Sequence, residues 1–350
     1  MPGILSEAIV HTLDPFVFEF SKGVGLRWYG TAYLAGFAIG WIIMRWLANT
    51  GRIPLNARQV GDLVTSCVIG VVVGGRLGHV LFYEPQLLAA FSGNFPFWGL
   101  LEIHKGGMSS HGGVIGVIAA IILFARSQRL PILAVGDAVC FVVPWGLGFG
   151  RIANWINGEL WGRPLPEDAQ ANPPWWAVKY PVELEAFDPL PRALEPLRAL
   201  APAADRTSDA RFVDWIVATA YDRSHAAHAE VVRTIEPVLT AYYPSQFFQA
   251  AAEGLALIVL MSLAWLAPRK AGVVSSIFLA GYGVLRYLTE QFREPDPGVA
   301  MLGGLTLPML LSLLMVAAGT AVFALSRRAQ PIGGLVWKAD EKGGPDSVRG

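Results

Sequence analysis

Cysteine is almost absent from this chain: two residues in 350, Cys67 and Cys140. Both fall inside apolar runs and read as small packing residues, so neither a disulfide framework nor a zinc site is indicated. Charge is scarce as well. Only 15% of residues are Asp, Glu, Lys or Arg, where a soluble domain carries about 25%. The deficit, with 53% hydrophobic residues, excludes an ordinary soluble domain and points to a polytopic membrane protein. The 27 basic and 27 acidic residues cancel, so bulk attraction to nucleic acid is not indicated. There is no Walker loop, no dinucleotide fingerprint and no Gly-x-Ser-x-Gly elbow, which leaves nucleotide-dependent and ordinary serine-hydrolase chemistry unsupported. The six histidines are scattered, and no metal site or cofactor is expected. No internal repeat is found, which weakens an inverted-repeat transporter. The first residues lack a basic segment followed by a compact apolar run, so no cleaved signal peptide is expected.

Long apolar runs are what the chain has instead. Seven candidate spans, at 27–48, 60–83, 111–127, 131–150, 246–267, 272–293 and 304–326, have the roughly 18–25 residues that a bilayer core requires. The third is short and glycine-rich at its start, so an irregular or tilted end is expected there. Arg45, Arg52 and Arg58 follow the first span. Arg126 and Arg129 separate the third and fourth, and Arg269 and Lys270 the fifth and sixth. Arg327, Arg328, Lys338 and Lys342 follow the seventh. With seven spans these places share one side, which the positive-inside rule makes cytoplasmic. The expected architecture is an all-α polytopic membrane protein of about seven transmembrane helices, N-terminus outside, C-terminus inside. Its parts are an interfacial segment at 1–26, with Asp14–Phe20 lying on the bilayer; a membrane body at 27–163; an extracytoplasmic head insertion at 164–245; a second membrane body at 246–328; and a flexible cytoplasmic tail at 329–350. The insertion is proline-rich at first. From Asp209 to Leu239 it turns helical, with Phe212, Ile216, Val217 and Tyr221 on one face. It is either a spacer or a small head over an opening.

Polar groups inside or at the ends of spans are costly and mark function. The densest run is Gly150-Arg151-Ile152-Ala153-Asn154-Trp155-Ile156-Asn157-Gly158-Glu159-Leu160-Trp161-Gly162-Arg163. Guanidinium forks and amides there suit an anionic, oxygen-rich ligand such as a phospholipid headgroup. Arg76, His79 and Tyr83 share one helix face, as do Tyr282, Arg286, Glu290 and Arg293, where Glu290 can pair both arginines. Each set can be a structural polar seam or a ligand site. His111, between glycine pairs at a span's start, is a candidate base. Asp62 and Asp137 read as buried partners of arginines. Ser245 is expected to cap the fifth span, beside Gln246. Trp28 and Tyr29 read as an aromatic belt. The repeats Gly70, Gly74, Gly78 and Gly146, Gly148, Gly150 read as tight helix packing.

Five ordered motifs together carry a resemblance. They are Arg27-Trp28-Tyr29-Gly30, Gly74-Gly75-Arg76-Leu77-Gly78, Gly106-Gly107-Met108-Ser109-Ser110-His111-Gly112-Gly113, the run at 150–163, and Gly281-Tyr282-Gly283-Val284-Leu285-Arg286 continuing to Phe292-Arg293-Glu294-Pro295-Asp296. Over roughly 14–163 and 243–326 the chain resembles the prolipoprotein diacylglyceryl transferases of bacterial inner membranes. The resemblance implies transfer of the diacylglyceryl group of phosphatidylglycerol to the lipobox cysteine thiol of a prolipoprotein signal peptide, with release of glycerol 1-phosphate. It also implies that Tyr29, His111, Arg151, Asn154, Glu159, Tyr282 and Arg286 are residues on which the family relies. Three places depart from the family, one of them the 164–242 insertion, which is longer than usual. A His-Pro-Ser-Gln-Leu-Tyr-Glu motif reads here Tyr243-Pro244-Ser245-Gln246-Phe247-Phe248-Gln249, and His104-Lys105 replaces a Trp and an acidic residue.

That chemistry needs charge stabilised on phosphate oxygens and a thiol turned to thiolate. On this reading Arg151 and Arg286 grip the phosphate, Asn154 and Asn157 meet glycerol hydroxyls, and Glu159 and Glu290 orient the guanidiniums. Arg76, Tyr83, Gly162, Gln246, Tyr282 and Arg293 complete the substrate site, and His111 or a tyrosine, Tyr29 or Tyr282, takes the proton. The rival functions are a lipid or small-anion transporter and a non-catalytic membrane scaffold.

Overall fold

The computed structural model describes residues 8–21, 24–93, 95–103, 106–294, 301–302 and 304–335. Lys338 and Lys342, the tail beyond 335, the motif residues Pro295 and Asp296, the pair His104-Lys105, and residues 1–7 and 22–23 of the interfacial segment lie outside them. The helices that matter below are α1 (Trp28–Asn49), α2 (Ala57–Phe82), α3 (Ser110–Ser127), α4 (Ile132–Ile156), α5 (Asp209–Tyr221), α6 (His228–Ile235), α7 (Ser245–Ala264), α8 (Val273–Thr289) and α9 (Leu307–Ser326). Among the described residues six helices, α1–α4, α7 and α9, are long and apolar enough to cross a membrane. The chain is a mostly helical, multi-pass membrane protein. α8, expected as a span over 272–293, is α-helical for 17 residues and tightens into a 3₁₀ turn at Glu290–Phe292. It is therefore shorter than the other six.

The chain divides into two compact units. One comprises Met1–Ala35, Gly146–Ala256 and Tyr282–Leu314; the other comprises Gly36–Trp145, Leu257–Gly281 and Met315–Gly350.

In the second unit α2 and α3 pack glycine to glycine. A Cβ on Gly74 would sit 2.8 Å from the Gly116 Cα, and one on Gly78 2.7 Å from the Gly112 Cα. The backbones touch because nothing stands between them, the packing mode of small residues in apolar helices. The expected irregular start of α3 is absent. Ser109 caps it, its Oγ accepting from Gly112 N, and Ser109 N donates to the Gly75 carbonyl at 2.9 Å. Asp137, fully buried, has no arginine partner among the described residues. Its carboxylate instead accepts from Gly272 N at 2.7 Å and from Ser275 N and Oγ at 2.6 Å, capping α8 from a neighbouring helix. Orphan N–H groups at a helix start are the reason a carboxylate is stable there. Asp62 is exposed. Residues Pro331–Ile332 pair with Arg269–Lys270 as a two-residue ladder, and Arg52 donates to the Gly334 and Leu335 carbonyls.

In the first unit the segment expected to lie flat on the bilayer is a hairpin. Phe16–Ser21 pairs antiparallel with Val24–Arg27, leaving Phe18 and Phe20 exposed. Ile9–Val10 pairs parallel with Val178–Lys179. The insertion has a hydrophobic core of its own, with Leu184, Leu194, Phe212, Ile216, Val231 and Ile235 all at most 1% exposed. It is thus more than a spacer. The helix expected over 209–239 breaks after Tyr221, where Asp222 turns back to hold Ser224, and resumes at His228.

Candidate functional site

The polar site of the first unit is built by three helices. α4 ends in the turn Asn157-Gly158-Glu159-Leu160, with Gly158 at φ 65° and Leu160 at φ 56°. Glu159 N returns to the Asn154 carbonyl at 2.9 Å, which closes the helix. Along α4 and α7 the contacts run in opposite order. Gly148 faces Gly254, Arg151 meets Glu253, the Trp155 ring lies 4.7 Å from Phe247, and the Glu159 carbonyl accepts from Gln246 Nε2 at 2.8 Å. α7 is not a regular helix: residues Ala250–Ala256 form a π-helical segment. Such segments recur at functional sites. Here it carries Glu253.

Glu253 is the centre of the site. It is fully buried. Its Oε2 accepts from Arg151 Nη2 at 3.0 Å and from Arg151 Nε at 3.2 Å. Its Oε1 accepts from the Thr289 hydroxyl at 3.2 Å and lies 3.6 Å from Arg286 Nη1. Arg286 also pairs with Glu290 at 2.7 Å, and Glu290 faces Arg293 at 4.0 Å. Tyr282 stands close to the Arg151 guanidinium. Tyr29 stands near Arg151 and beside Tyr33, the two rings 5.1 Å apart. Arg151, Arg286 and Arg293 thus gather around Glu253 and Glu290 in a buried place, and guanidinium forks there suit an anion.

Six of the expected residues therefore come together: Tyr29, Arg151, Tyr282, Arg286, Glu290 and Arg293. Asn154 is 3% exposed, and its Nδ2 has no partner among the described residues; nor has Asn157 Oδ1. Glu159 does not orient an arginine. It accepts from Asn157 Nδ2 at 2.8 Å, and Glu253 does what was expected of it, because the 157–160 turn carries Glu159 away to an exposed position. Gln246 is buried and spends its amide N–H groups on the Glu159 carbonyl and the Tyr180 hydroxyl. Ser245 caps nothing; its hydroxyl donates to the Leu160 carbonyl at 3.1 Å. Gly162 pairs across to Arg293, and a Cβ there would lie 2.8 Å from the Tyr243 carbonyl carbon. It is glycine because two strands of chain pass too close for a side chain.

The remaining expected residues belong to the second unit. Arg76 is buried and donates to four backbone carbonyls: Gly99 at 2.6 Å, Leu100 at 2.8 Å, Gly106 at 2.9 Å and Gly107 at 3.1 Å. It neither snorkels nor presents an open fork; it shapes the loop that leads to Ser109. His79 stacks on the exposed Tyr83 and pairs with Glu84 at 3.4 Å. His111 is exposed on the first turn of α3.

Glu253 is the site residue that the sequence pattern does not pick out. A carboxylate within an apolar run is itself a signal, but Glu253 belongs to no obvious polar face, because the π-helical turn shifts the register that periodicity assumes.

Comparison with known proteins bears on the whole chain. The family model for prolipoprotein diacylglyceryl transferase matches residues 15–325. A phosphatidylglycerol–prolipoprotein diacylglyceryl transferase of Bdellovibrio bacteriovorus is 37% identical over 341 residues, covering 92% of this chain and 95% of the relative. Its counterpart in Rhodospirillum rubrum is 36% identical over 325 residues (91% and 94% covered), and that of Methylocella silvestris 34% over 340 residues (95% and 99%). With matches of this length, in the order in which the motifs fall, the chain belongs to the prolipoprotein diacylglyceryl transferase family.

Proposed function

We propose that this chain transfers the diacylglyceryl group of phosphatidylglycerol to the lipobox cysteine thiol of a prolipoprotein signal peptide. The observation that carries the reading is the convergence of Arg151 and Arg286, from different helices, on the buried Glu253. Two guanidiniums held in a place that excludes water are matched to a phosphodiester whose charge grows as it leaves. The thiolate sulfur bonds to the glyceryl carbon that carries the phosphate ester. The carbon–oxygen bond breaks, and its electron pair goes to the phosphate oxygen. The thiol proton passes to a base, and the products are a thioether and glycerol 1-phosphate.

Arg151 and Arg286 take the phosphate, with Glu253 and Glu290 holding them. Asn154 and Asn157, each with an unpartnered amide atom among the described residues, meet the glycerol hydroxyls. The base is His111 or a tyrosine, Tyr29 or Tyr282. Arg76, Gly162, Gln246 and Glu159 serve by shaping the loops around the substrates, and Tyr83 and Arg293 line their approach. Counting α8 gives seven spans. The basic loops then put the N-terminus and the 164–245 head outside, and the residues from 329 onward in the cytoplasm of a cell whose inner membrane holds the enzyme. Complementation of a bacterium depleted of its own transferase tests the reading. Rescue that requires Arg151 and Arg286 supports it; lipid or anion movement without thioether formation would replace it with a transporter.

A further inference from the structure

Gln249 is the odd residue of the first unit. It is fully buried, yet among the described residues neither its amide oxygen nor its amide nitrogen has a hydrogen-bond partner. A buried amide whose donors and acceptor stay unmade is costly. Its polar neighbours on α7 both make hydrogen bonds, although Gln246 Oε1 too has no partner among the described residues. Gln246, three residues before, holds the Glu159 carbonyl, and Glu253, four residues after, holds Arg151 and Thr289. The α4–α7 contacts bracket it. Arg151 meets Glu253 on one side, and Trp155 meets Phe247 on the other. Gln249 therefore lies at the level of residues 151–155, where Asn154 also has an unpartnered amide nitrogen.

We infer that Gln249 reads the hydroxyl-bearing end of the donor lipid's headgroup. This rests on the transfer reading above, with phosphate at Arg151 and Arg286. Glu253 and Gln249 are four residues apart on α7, about one turn of its partly π-helical stretch and on the order of 5 Å along the axis. That is the reach from a phosphate to the outer hydroxyls of the glycerol attached to it. A hydroxyl both donates and accepts. An amide answers both needs at once, whereas a carboxylate only accepts. Here a glutamine stands where the family motif ends in glutamate, so this chain presents two donors that the family motif lacks. Sites that hydrogen-bond a substrate hydroxyl reject the analogue without it strongly, because their own polar groups are then left unpaired.

The test uses the full-length protein with two donors, phosphatidylglycerol and phosphatidylpropanol, the latter lacking both headgroup hydroxyls. Transfer to a lipobox peptide and the thermal midpoint are measured for the wild type, Gln249→Met and Gln249→Leu. The wild type should prefer phosphatidylglycerol at least about tenfold in kcat/KM. Gln249→Met should bring the ratio near one, mainly by raising KM for phosphatidylglycerol. Its midpoint should hold or rise, since an apolar chain of similar volume removes two unsatisfied groups. Gln249→Leu is likewise apolar and should lower the ratio in the same direction; it carries the comparison if Gln249→Met folds poorly. An unchanged ratio in both variants overturns the inference and leaves the transfer reading standing. So does a midpoint that falls while both donors lose activity in proportion, which is the mark of packing alone. A wild type without preference overturns it as well. A wild type that forms no thioether from either lipid sinks the transfer reading, and this inference with it.

Discussion

Glu253 accepts both Nη2 and Nε of Arg151 through a single oxygen, and turns its other oxygen to Thr289 and Arg286. One carboxylate thus sets the direction of two guanidiniums from two helices. Removing a partner from a buried pair typically costs about 3–5 kcal/mol, because a charge is left uncompensated. Glu253→Ala should therefore lower the yield of folded protein. Glu253→Gln keeps the shape and should fold, but it lets the two guanidiniums wander. Transfer per folded molecule should fall at least about tenfold in kcat, with KM for the lipid unchanged or lower. Wild-type kcat in Glu253→Gln would show that the arginines orient themselves.

Gly162 illustrates a different kind of necessity. Its neighbour Arg163 N donates to the Phe292 carbonyl at 2.9 Å, and Tyr243 N donates to the Arg163 carbonyl at 3.0 Å. The backbone is held between two others, and a methyl group at 162 would meet Tyr243. Overpacking a closed site costs about 1–3 kcal/mol or more. Gly162→Ala should lower the thermal midpoint and the folded yield. A variant as stable as the wild type but inactive would instead mark Gly162 as a place where substrate itself comes close.

How much of this was legible beforehand differs from residue to residue. The α-helices α1–α4, α7 and α9 lie close to where the apolar runs put them, because a bilayer-length run leaves few alternatives. The pairing of Arg286 with Glu290 follows from helical spacing alone. Glu253 did not, because the π-helical segment breaks the spacing on which such readings rest. Ser245 and Asp137 were misassigned for a common reason. Their partners, the Leu160 carbonyl and the Gly272 and Ser275 N–H groups, are distant in sequence. The hairpin at 16–27 and the core of the insertion depend on pairings between short segments, for which local pattern is weak.

His11 gives a pH dependence. Its ring is buried among Trp155, Tyr180 and Tyr221, with Nε2 2.7 Å from the Trp155 carbonyl oxygen, and burial pushes its pKa below the ordinary value. An unfolded histidine titrates near about 6.5. Below that pH the unfolded chain binds a proton that the folded one resists. His11's neutral form therefore contributes stability that is complete above about pH 6.5 and is lost as the pH falls toward the folded value. The thermal midpoint should drop between pH 7.5 and 5.5, and His11→Gln should flatten that drop. An equal drop in both proteins would assign it to other groups.

Sidedness can be tested with two exposed positions, Ala204 and Ser127. In a background without Cys67 and Cys140, a cysteine at 204 should react with an impermeant maleimide added to intact spheroplasts. One at 127 should react only after lysis. The reverse pattern would turn the molecule over and place the arginine cluster near the wrong leaflet for a secreted peptide.

The phosphate assignment stands on Arg286. It is 8% exposed, paired with Glu290 at 2.7 Å and close to Glu253. A structural ion pair and a phosphate grip differ in what lysine can replace. Lysine keeps the charge and reaches a carboxylate as a point, so an ion-pair role survives Arg286→Lys. A planar fork aimed at two oxygens does not survive it. Removing one donor aimed at developing charge costs about 10²–10³ in rate. Arg286→Lys should fold and insert normally yet transfer diacylglyceryl at least about a hundredfold more slowly. Arg286→Ala should be effectively inactive. Arg269→Ala should be nearly silent, since Arg269 is exposed and its guanidinium only donates to the Ala264 carbonyl. Activity is to be counted per folded molecule, because Arg286→Ala also strips Glu290 of its partner and lowers the folded amount. Wild-type specific activity in whatever Arg286→Ala protein does fold would remove Arg286 from the phosphate and leave Arg151 to hold it alone.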